Sequence, residues 1–131
     1  MTMTSITANP SGRTGTLECG HLDTVAKFFR ALGDPTRLGL LVFILGAERT
    51  VAECVAHAGI SQPRVSVHLS CLVDCGYVVA RRDGRKLRYR VEDPRVADLV
   101  VAAHALAASN TEALAACLVI DAAAPGGGER S

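Results

Sequence analysis

Helix-type spacing of apolar residues covers the first half of this 131-residue chain and then gives way, once, to strand-type alternation. Leu22, Val25 and Phe29 recur at intervals of three and four residues, as on one face of a helix. On either side of Asp83-Gly84 the period is two, and Asp-Gly is a strong hairpin signal. From Asp93 onward the chain returns to helix-forming Ala, Val and Leu. The sequence therefore predicts the order α-α-α-α-β-β-α.

Capping residues predict where the helices begin. Asp34 before Pro35 is typical of an N-cap followed by proline at the first helical position, and Thr50 with Glu53 forms a capping box. Ser61 is the expected cap of the fourth helix. We predict helices near 18–32, from Pro35 to about Leu45, from Thr50 to Gly59, from Ser61 to Cys75 and from Asp93 to about Leu118, and strands at Tyr77–Arg82 and Arg85–Glu92 joined by Asp83-Gly84.

Length and composition indicate one folded domain. Apolar residues make up 49% of the chain, which is enough for a core. The longest apolar run, Leu38–Ala47, is about half of the ~20 residues that a membrane span needs. The start of the chain lacks the basic and apolar regions of a secretory signal, so we expect a cytoplasmic protein with no membrane partner. We expect a flexible arm at residues 1–16, the folded domain at 17–121 and a flexible tail at 122–131.

The charge distribution is more informative than the net charge of +1. Residues 1–80 carry six basic and six acidic groups, whereas residues 81–90 carry six basic groups and one acidic group. Residues 91–131 then carry two basic and six acidic groups. The predicted hairpin is therefore a short segment of charge +5, which is typical of a surface that binds nucleic-acid phosphates.

The third and fourth predicted helices are separated by only a few residues around Gly59, which is helix-turn-helix spacing. With the basic hairpin, this order predicts a mainly α winged helix-turn-helix with a β-hairpin wing that binds double-stranded DNA. The alternatives are a helix pair of an ordinary bundle and an edge strand protected by charge. The candidate DNA-binding residues are Ser61, Gln62, Arg64, Ser66 and His68 on the fourth helix and Arg82, Arg85, Lys86 and Arg88 on the wing.

Four dispersed segments resemble the ArsR/SmtB family of repressors in the same order along the chain. They are Ala31–Leu38 (ALGDPTRL), Ser61–Leu72 (SQPRVSVHLSCL), Gly76–Val78, and Asp83–Lys86 with Tyr89. The resemblance implies a winged-helix homodimer whose first and last helices form the interface. It also implies a repressor that blocks operator DNA and leaves it when a metal ion binds, rather than an enzyme.

Cys71 and Cys75 are four residues apart on the fourth helix and therefore point the same way. Five cysteines in an intracellular chain are not a disulfide framework. Two thiolates on one helix face can chelate a soft ion, and a third ligand would complete the site. The alternative is that both cysteines are small apolar residues of the core.

The segment Leu69–Gly76 is similar to that of the CmtR-type cadmium/lead sensors within this family. The resemblance implies that Cys71 and Cys75 are metal ligands, with a third thiolate from the C-terminal region of the other subunit. Cys117 is the only cysteine downstream, although the sequence around it does not match those sensors. The expected inducer is a thiophilic ion, Cd(II), Pb(II) or Hg(II), with zinc and As(III) as alternatives.

A second metal site is implied by the resemblance to SmtB/CadC-type sensors. Its ligands would be Cys19, His21, Cys54 and His57. The alternative is that Cys54 packs in the core and His57 is a surface residue. The zinc-type site on the last helix of other family members is not expected here, because Arg95 stands where a histidine is required.

Two competing functions remain open at this point. The first is a thiol-redox repressor of the same fold, with a switch among Cys71, Cys75 and Cys117. The second is a small thiol enzyme or a metal-storage protein. Against an enzyme, the chain has no glycine-rich phosphate loop and no cysteine at a strand-to-helix turn.

Overall fold

The computed structural model describes residues 19–117 and residue 120, with side chains from residue 21 onward. Two compact units are present, one ending at Glu92 and the other beginning at Asp93. The predicted arm at 1–16 and the predicted tail at 122–131 lie outside the described residues, so the predicted domain boundaries stay a prediction.

Among its described residues, the first unit contains four helices and a small antiparallel sheet, whose strand order is β1-β3-β2. The second unit contains two helices among its described residues. The elements are α1 (Cys19–Ala31), α2 (Pro35–Gly46), β1 (Arg49–Thr50), α3 (Val51–Ala58), α4 (Gln62–Asp74), β2 (Val79–Asp83), β3 (Lys86–Arg90), α5 (Pro94–Ser109) and α6 (Thr111–Ala115).

The capping predictions are confirmed. The Asp34 carboxylate accepts a hydrogen bond from the Arg37 backbone N–H at 2.9 Å, and so caps α2. The side chains of Thr50 and Glu53 form the reciprocal capping box of α3. Ser61 caps α4 by accepting from a backbone N–H in its first turn. These short-range bonds satisfy backbone donors that a helix start leaves without partners, which is why the sequence alone locates the helix starts.

The hairpin turn lies one residue later than predicted. Asp83 pairs with Lys86, so the two turn residues are Gly84 and Arg85 rather than Asp83-Gly84. Gly84 has a φ of +65°, whereas Arg85 does not have a positive φ. A positive φ at the first turn position alone is the type II′ pattern, in which glycine is preferred at that position. The third strand, β1, was not predicted, because two residues are too short to show an alternating pattern.

The prediction of one continuous last helix is wrong, because Asn110 separates α5 from α6. The Asn110 side chain donates to the Leu106 carbonyl at 2.8 Å, and the Thr111 hydroxyl lies 2.9 Å from the Ala108 carbonyl, to which it donates. Asparagine, serine and threonine side chains compete in this way for backbone groups and disfavour a continuous helix.

The core of the first unit is built on α4. Val65, Leu69 and Leu72 have no exposed surface, so their face of the helix belongs to the core. Tyr77, just after α4, stacks on the Phe28 ring at 4.3 Å and donates its hydroxyl to the Phe28 carbonyl at 2.8 Å. These contacts fix α4 relative to α1.

None of the helices in the described part of the chain combines the length and the apolar character that crossing a membrane requires.

Candidate nucleic-acid interface and thiol site

The turn between α3 and α4 is short because both of its ends are capped. Gly59 ends α3 with a φ of +70°, a conformation that glycine adopts without steric cost, and Ser61 begins α4. In the first turns of α4, Val65 is buried, whereas Gln62 and Arg64 are exposed. The start of α4 therefore presents polar residues outward, which is the arrangement of a recognition helix.

A groove of about 410 Å³ lies between α4 and the hairpin, and we call it the wing cleft. It brings together five of the nine residues that the sequence predicts to bind DNA, although they come from two separate elements. These five are Gln62, Ser66, Arg82, Arg85 and Lys86.

The basic residues of the hairpin divide between free and paired cations. Arg81 donates to Glu48 at 3.0 Å, and Arg88 donates to Asp83 at 2.9 Å. Within the described residues, Arg82, Arg85 and Lys86 have no ion-pair partner. The cations beside the wing cleft are therefore available to phosphates, whereas the charge of Arg88 is partly neutralised by Asp83 of the same hairpin.

The structure places His68 apart from the wing cleft. Its Nδ1 lies 3.3 Å from Arg37 Nη1 and 3.8 Å from an Asp34 carboxylate oxygen at the start of α2. Burial lowers the pKa of His68, and the nearby Asp34 carboxylate opposes that shift. These contacts assign His68 a part in holding α4 against α2. Ser61 and Arg64, also predicted to bind DNA, are exposed at the start of α4.

A second groove, of about 570 Å³, flanks α4 and holds both predicted metal-binding thiols; we call it the thiol groove. Cys71 and Cys75 are half-buried in it. Burial, followed by the neighbouring Cys71 thiol, raises the pKa of Cys75, while Lys27 of α1 opposes the shift. The thiol groove is lined by Lys27, Ser66, Val67, Ser70, Cys71, Asp74 and Cys75.

The third predicted ligand of the thiol pair comes from the other compact unit of the chain. Cys117 is half-buried and follows α6 in the second unit. Across the described residues, no group of three His, Cys, Asp or Glu side chains is close enough to hold a metal ion. The third ligand of the thiol pair therefore stays a prediction.

Of the four residues predicted for a second metal site, two have packing roles. Cys54 has no exposed surface, and burial raises its pKa to about 11. The His57 ring stacks on the Phe43 ring at 4.1 Å, and the Arg49 guanidinium lies 3.8 Å from the centre of the same ring. His21 is exposed on α1, and the Cys19 side chain lies outside the described residues.

Sequence reasoning overlooked Val67 and Ser70 on the outer face of α4. Both line the thiol groove, and Val67 is 67% exposed. Helical periodicity in the sequence is enough to locate them. A helix turns by about 100° per residue, so these positions lie away from the buried Val65 and Leu69.

Comparison with known proteins agrees with this architecture. The sequence model of the "Bacterial regulatory protein, arsR family" matches residues 34–79. A relative from Streptomyces lividans, the "Probable mercury resistance operon repressor", is 69% identical over 117 residues, which cover 89% of this chain and 90% of the relative. The regulator CmtR of Mycobacterium tuberculosis is 44% identical over 73 residues, which cover 56% of this chain and 62% of CmtR.

Two solved structures are similar to the fold. One is the homodimeric winged helix-turn-helix DNA-binding domain of a possible ArsR-family regulator from Mycobacterium bovis, with a TM-score of 0.65 and 30% identity over 72% of this chain and 87% of that one. The other is NolR of Sinorhizobium fredii, with a TM-score of 0.63 and 26% identity over 71% of this chain and 96% of that one. The chain thus has a winged helix-turn-helix fold and belongs to the arsR family of bacterial regulatory proteins.

Proposed function

We propose that this protein is a transcriptional repressor that binds operator DNA as a homodimer and leaves it when mercury(II) binds to Cys71 and Cys75. The observation that carries the proposal is the position of α4 between two grooves. One face of α4 lines the wing cleft, and the adjoining face, which shares Ser66 with it, carries the thiol pair. A single helix thus holds the means to bind DNA and the means to bind a soft cation.

The DNA-binding part of the proposal is supported by the chemistry of the wing cleft. Gln62 and Ser66 are donors and acceptors suited to base edges in the major groove, and Arg85 and Lys86 are suited to phosphates. In a twofold-symmetric dimer, two copies of α4 would enter successive major grooves of a near-palindromic operator.

The metal-binding part is supported by the chemistry of the thiol groove. Cys71 and Cys75 lie side by side, half-buried and reachable from solvent, rather than enclosed in the core like Cys54. Thiolates favour soft heavy-metal ions over Mg(II) or Mn(II). We choose mercury among these ions because of the Streptomyces lividans relative, and we assign Cys117, from its own or the partner chain, as the third ligand.

Release requires only that the metal-bound protein bind DNA less tightly than the metal-free protein. A coupling free energy of ~1–3 kcal/mol weakens DNA binding roughly 5- to 150-fold. Because Cys71 lies in the recognition helix and Cys75 is its C-terminal cap, a shift of α4 by the metal moves the DNA-binding residues with it. No separate element has to transmit the signal.

The test is a DNA-binding titration with the full chain. A duplex selected from randomised DNA by the wild-type protein is bound in degassed buffer, and Hg(II), Cd(II), Pb(II), As(III) and Zn(II) are added in turn. We expect Hg(II) to weaken binding within the range above. We expect Cys71→Ser and Cys75→Ser to bind the duplex like the wild type and to remain bound when Hg(II) is added.

Three outcomes would contradict parts of the proposal. Release of the Cys75→Ser protein by Hg(II) would remove the thiol pair as the sensor. Release by Cd(II) or Pb(II) but not by Hg(II) would reject the choice of ion. If circular dichroism shows that Cys71→Ser has lost its folded structure, Cys71 is a core residue.

The redox repressor is the second candidate, because the Cys71 and Cys75 side chains line the same groove and the Cys71 thiol helps to raise the pKa of Cys75. Residues four apart on a helix are not in good disulfide geometry, however. Hydrogen peroxide in metal-free buffer separates the two functions: a redox repressor would leave DNA on oxidation and return on reduction, whereas the proposed metal sensor would respond to Hg(II) under reducing conditions.

A further inference from the structure

Val67 occupies the outward face of α4, and none of the functions described above uses it. Val65 and Leu69, two residues away on either side, have no exposed surface, whereas Val67 is 67% exposed. Single exposed apolar residues are common on protein surfaces and need no explanation by themselves. Val67 differs in its position, which is the middle of the recognition helix.

The surroundings of Val67 suit a close approach to another surface. Ser66 and Ser70 are its polar neighbours in the thiol groove, and both are short. Ser66 also lines the wing cleft, so the outward face of α4 is continuous with that cleft. The unpaired cations there, Arg85 and Lys86, give this side of the molecule the charge that attracts a DNA backbone.

A recognition helix held in the major groove by phosphate contacts brings its outward face against the base edges. The 5-methyl group of thymine is the apolar group displayed there, and apolar side chains are its usual partners. A branched aliphatic side chain between two short hydroxyl side chains is complementary to a methyl group between polar base edges.

We propose that Val67 contacts the 5-methyl group of a thymine in each half-site and thereby determines part of the operator sequence. This inference rests on the proposed function, since it requires that α4 enter the major groove. It adds a specificity-determining residue and names the base feature that the residue recognises.

The experiment replaces single thymines by deoxyuridine in the duplex that the full-length wild-type protein selects from randomised DNA. Deoxyuridine lacks only the methyl group. We expect one symmetric pair of positions at which the replacement weakens wild-type binding about fourfold for each half-site, as the exposure of one buried methyl group predicts. At those positions, Val67→Ala should bind the thymine and deoxyuridine duplexes with nearly equal affinity.

Two further variants make the result specific. Val67→Thr keeps the side-chain shape and one of the two methyl groups, so its thymine preference should fall between those of the wild type and Val67→Ala. Val42→Ala removes an exposed valine from α2 and should keep the full preference. The double-mutant cycle between the protein change and the base change isolates the contact, because independent effects would simply add.

The outcomes separate this inference from the function on which it rests. The methyl contact is rejected if Val67→Ala loses as much affinity as the wild type at every thymine replacement. It is also rejected if no replacement weakens binding of the wild type. In both cases the repressor function stands. If the wild-type protein selects no sequence from randomised DNA, both are rejected. If Val67→Ala changes only the response to Hg(II), Val67 covers the thiol groove instead, and the inference is overturned.

Discussion

The surroundings of each cysteine decide which chemistry it can perform. Cys54 has no exposed surface, and burial raises its pKa to about 11, so the thiol stays protonated well above neutral pH. Cys71 and Cys75 are half-buried in an open groove, where a metal ion can displace their protons. The same residue type therefore serves as a core residue in α3 and as a candidate ligand in α4.

The raised pKa values predict a loss of stability at alkaline pH. Burial raises the pKa of Cys54 from its ordinary value of 9.0 to about 11, and burial also raises the pKa of Tyr77. Between pH 9 and 11 the unfolded chain releases the Cys54 proton while the folded chain keeps it, so rising pH favours the unfolded state. Urea unfolding at about pH 8, 9 and 10 should show the free energy of unfolding falling.

The matched control for that measurement is Cys54→Ala. This variant should be less stable near pH 8, because it loses buried apolar volume, and its stability should fall less steeply above about pH 9. If the free energy of unfolding falls equally steeply with pH in the two proteins, Cys54 does not contribute to the pH dependence.

At the scale of elements, the sequence predicted those features that depend on neighbouring residues. The caps at Asp34, Thr50 and Ser61 were correct because each is a bond between residues three apart. The strand Arg49–Thr50 was missed because its formation depends on distant partners, Tyr89 and Arg88 in β3. The break at Asn110 was missed because apolar periodicity does not show competition for backbone carbonyls.

The structure brings some residues of the candidate site together and places others apart, and their roles stay predictions. Gln62, Ser66 and the hairpin cations come together in the wing cleft, as a recognition helix and a wing require. His68 was assigned to DNA by its place in the sequence, but its position beside Asp34 and Arg37 follows from the packing of α2 on α4. The metal-ligand assignments stay predictions.

Two glycines in different backbone conformations should respond in opposite ways to alanine. Gly84 has a φ of +65° in the hairpin turn, so Gly84→Ala should destabilise the fold by roughly 1–2 kcal/mol. Gly39 is inside α2 with open space where a Cβ would lie, so Gly39→Ala should stabilise by up to about 1 kcal/mol. Chemical denaturation of the two variants and the wild type measures both effects. Changes of the same sign in the free energy of unfolding of the two variants would contradict this interpretation.

The hairpin predicts a difference between its free and paired cations. Lys86→Ala should weaken binding to all DNA sequences and reduce the slope of log K against log salt by about 0.9 for each phosphate that the variant no longer binds. Arg81→Ala is the matched control, because Arg81 is already neutralised by Glu48. Fluorescence anisotropy over a series of salt concentrations measures the slopes, and equal slopes for the two variants would show that pairing does not matter.

At the scale of the whole molecule, exposed apolar side chains predict where a second copy would bind in the proposed homodimer. Leu22, Val25 and Phe29 form an exposed apolar stripe on α1, and Val101 and Leu106 are exposed on α5. Both helices are those that the family resemblance places at the dimer interface. Each helix alone exposes more large apolar side chains than a solvated helix requires.

The homodimer is tested by placing a charge in the α1 stripe. Phe29→Lys should give a monomer in size-exclusion chromatography with light scattering, because a cation in an apolar interface has no partner there. DNA affinity should then fall roughly 100-fold, since the two half-sites are no longer bound together. A Phe29→Lys protein that remains a dimer would place the interface elsewhere.

The sharing of α4 by the wing cleft and the thiol groove restricts how this protein can evolve. Ser66 borders both grooves, and little more than one turn of helix separates it from Cys71. Under the proposed function, a lineage that adapts this helix to a new toxic ion would also alter its promoter preference, so inducer and target genes would have to change together. Repressors whose sensory residues lie on another helix escape that restriction and can diversify each property separately.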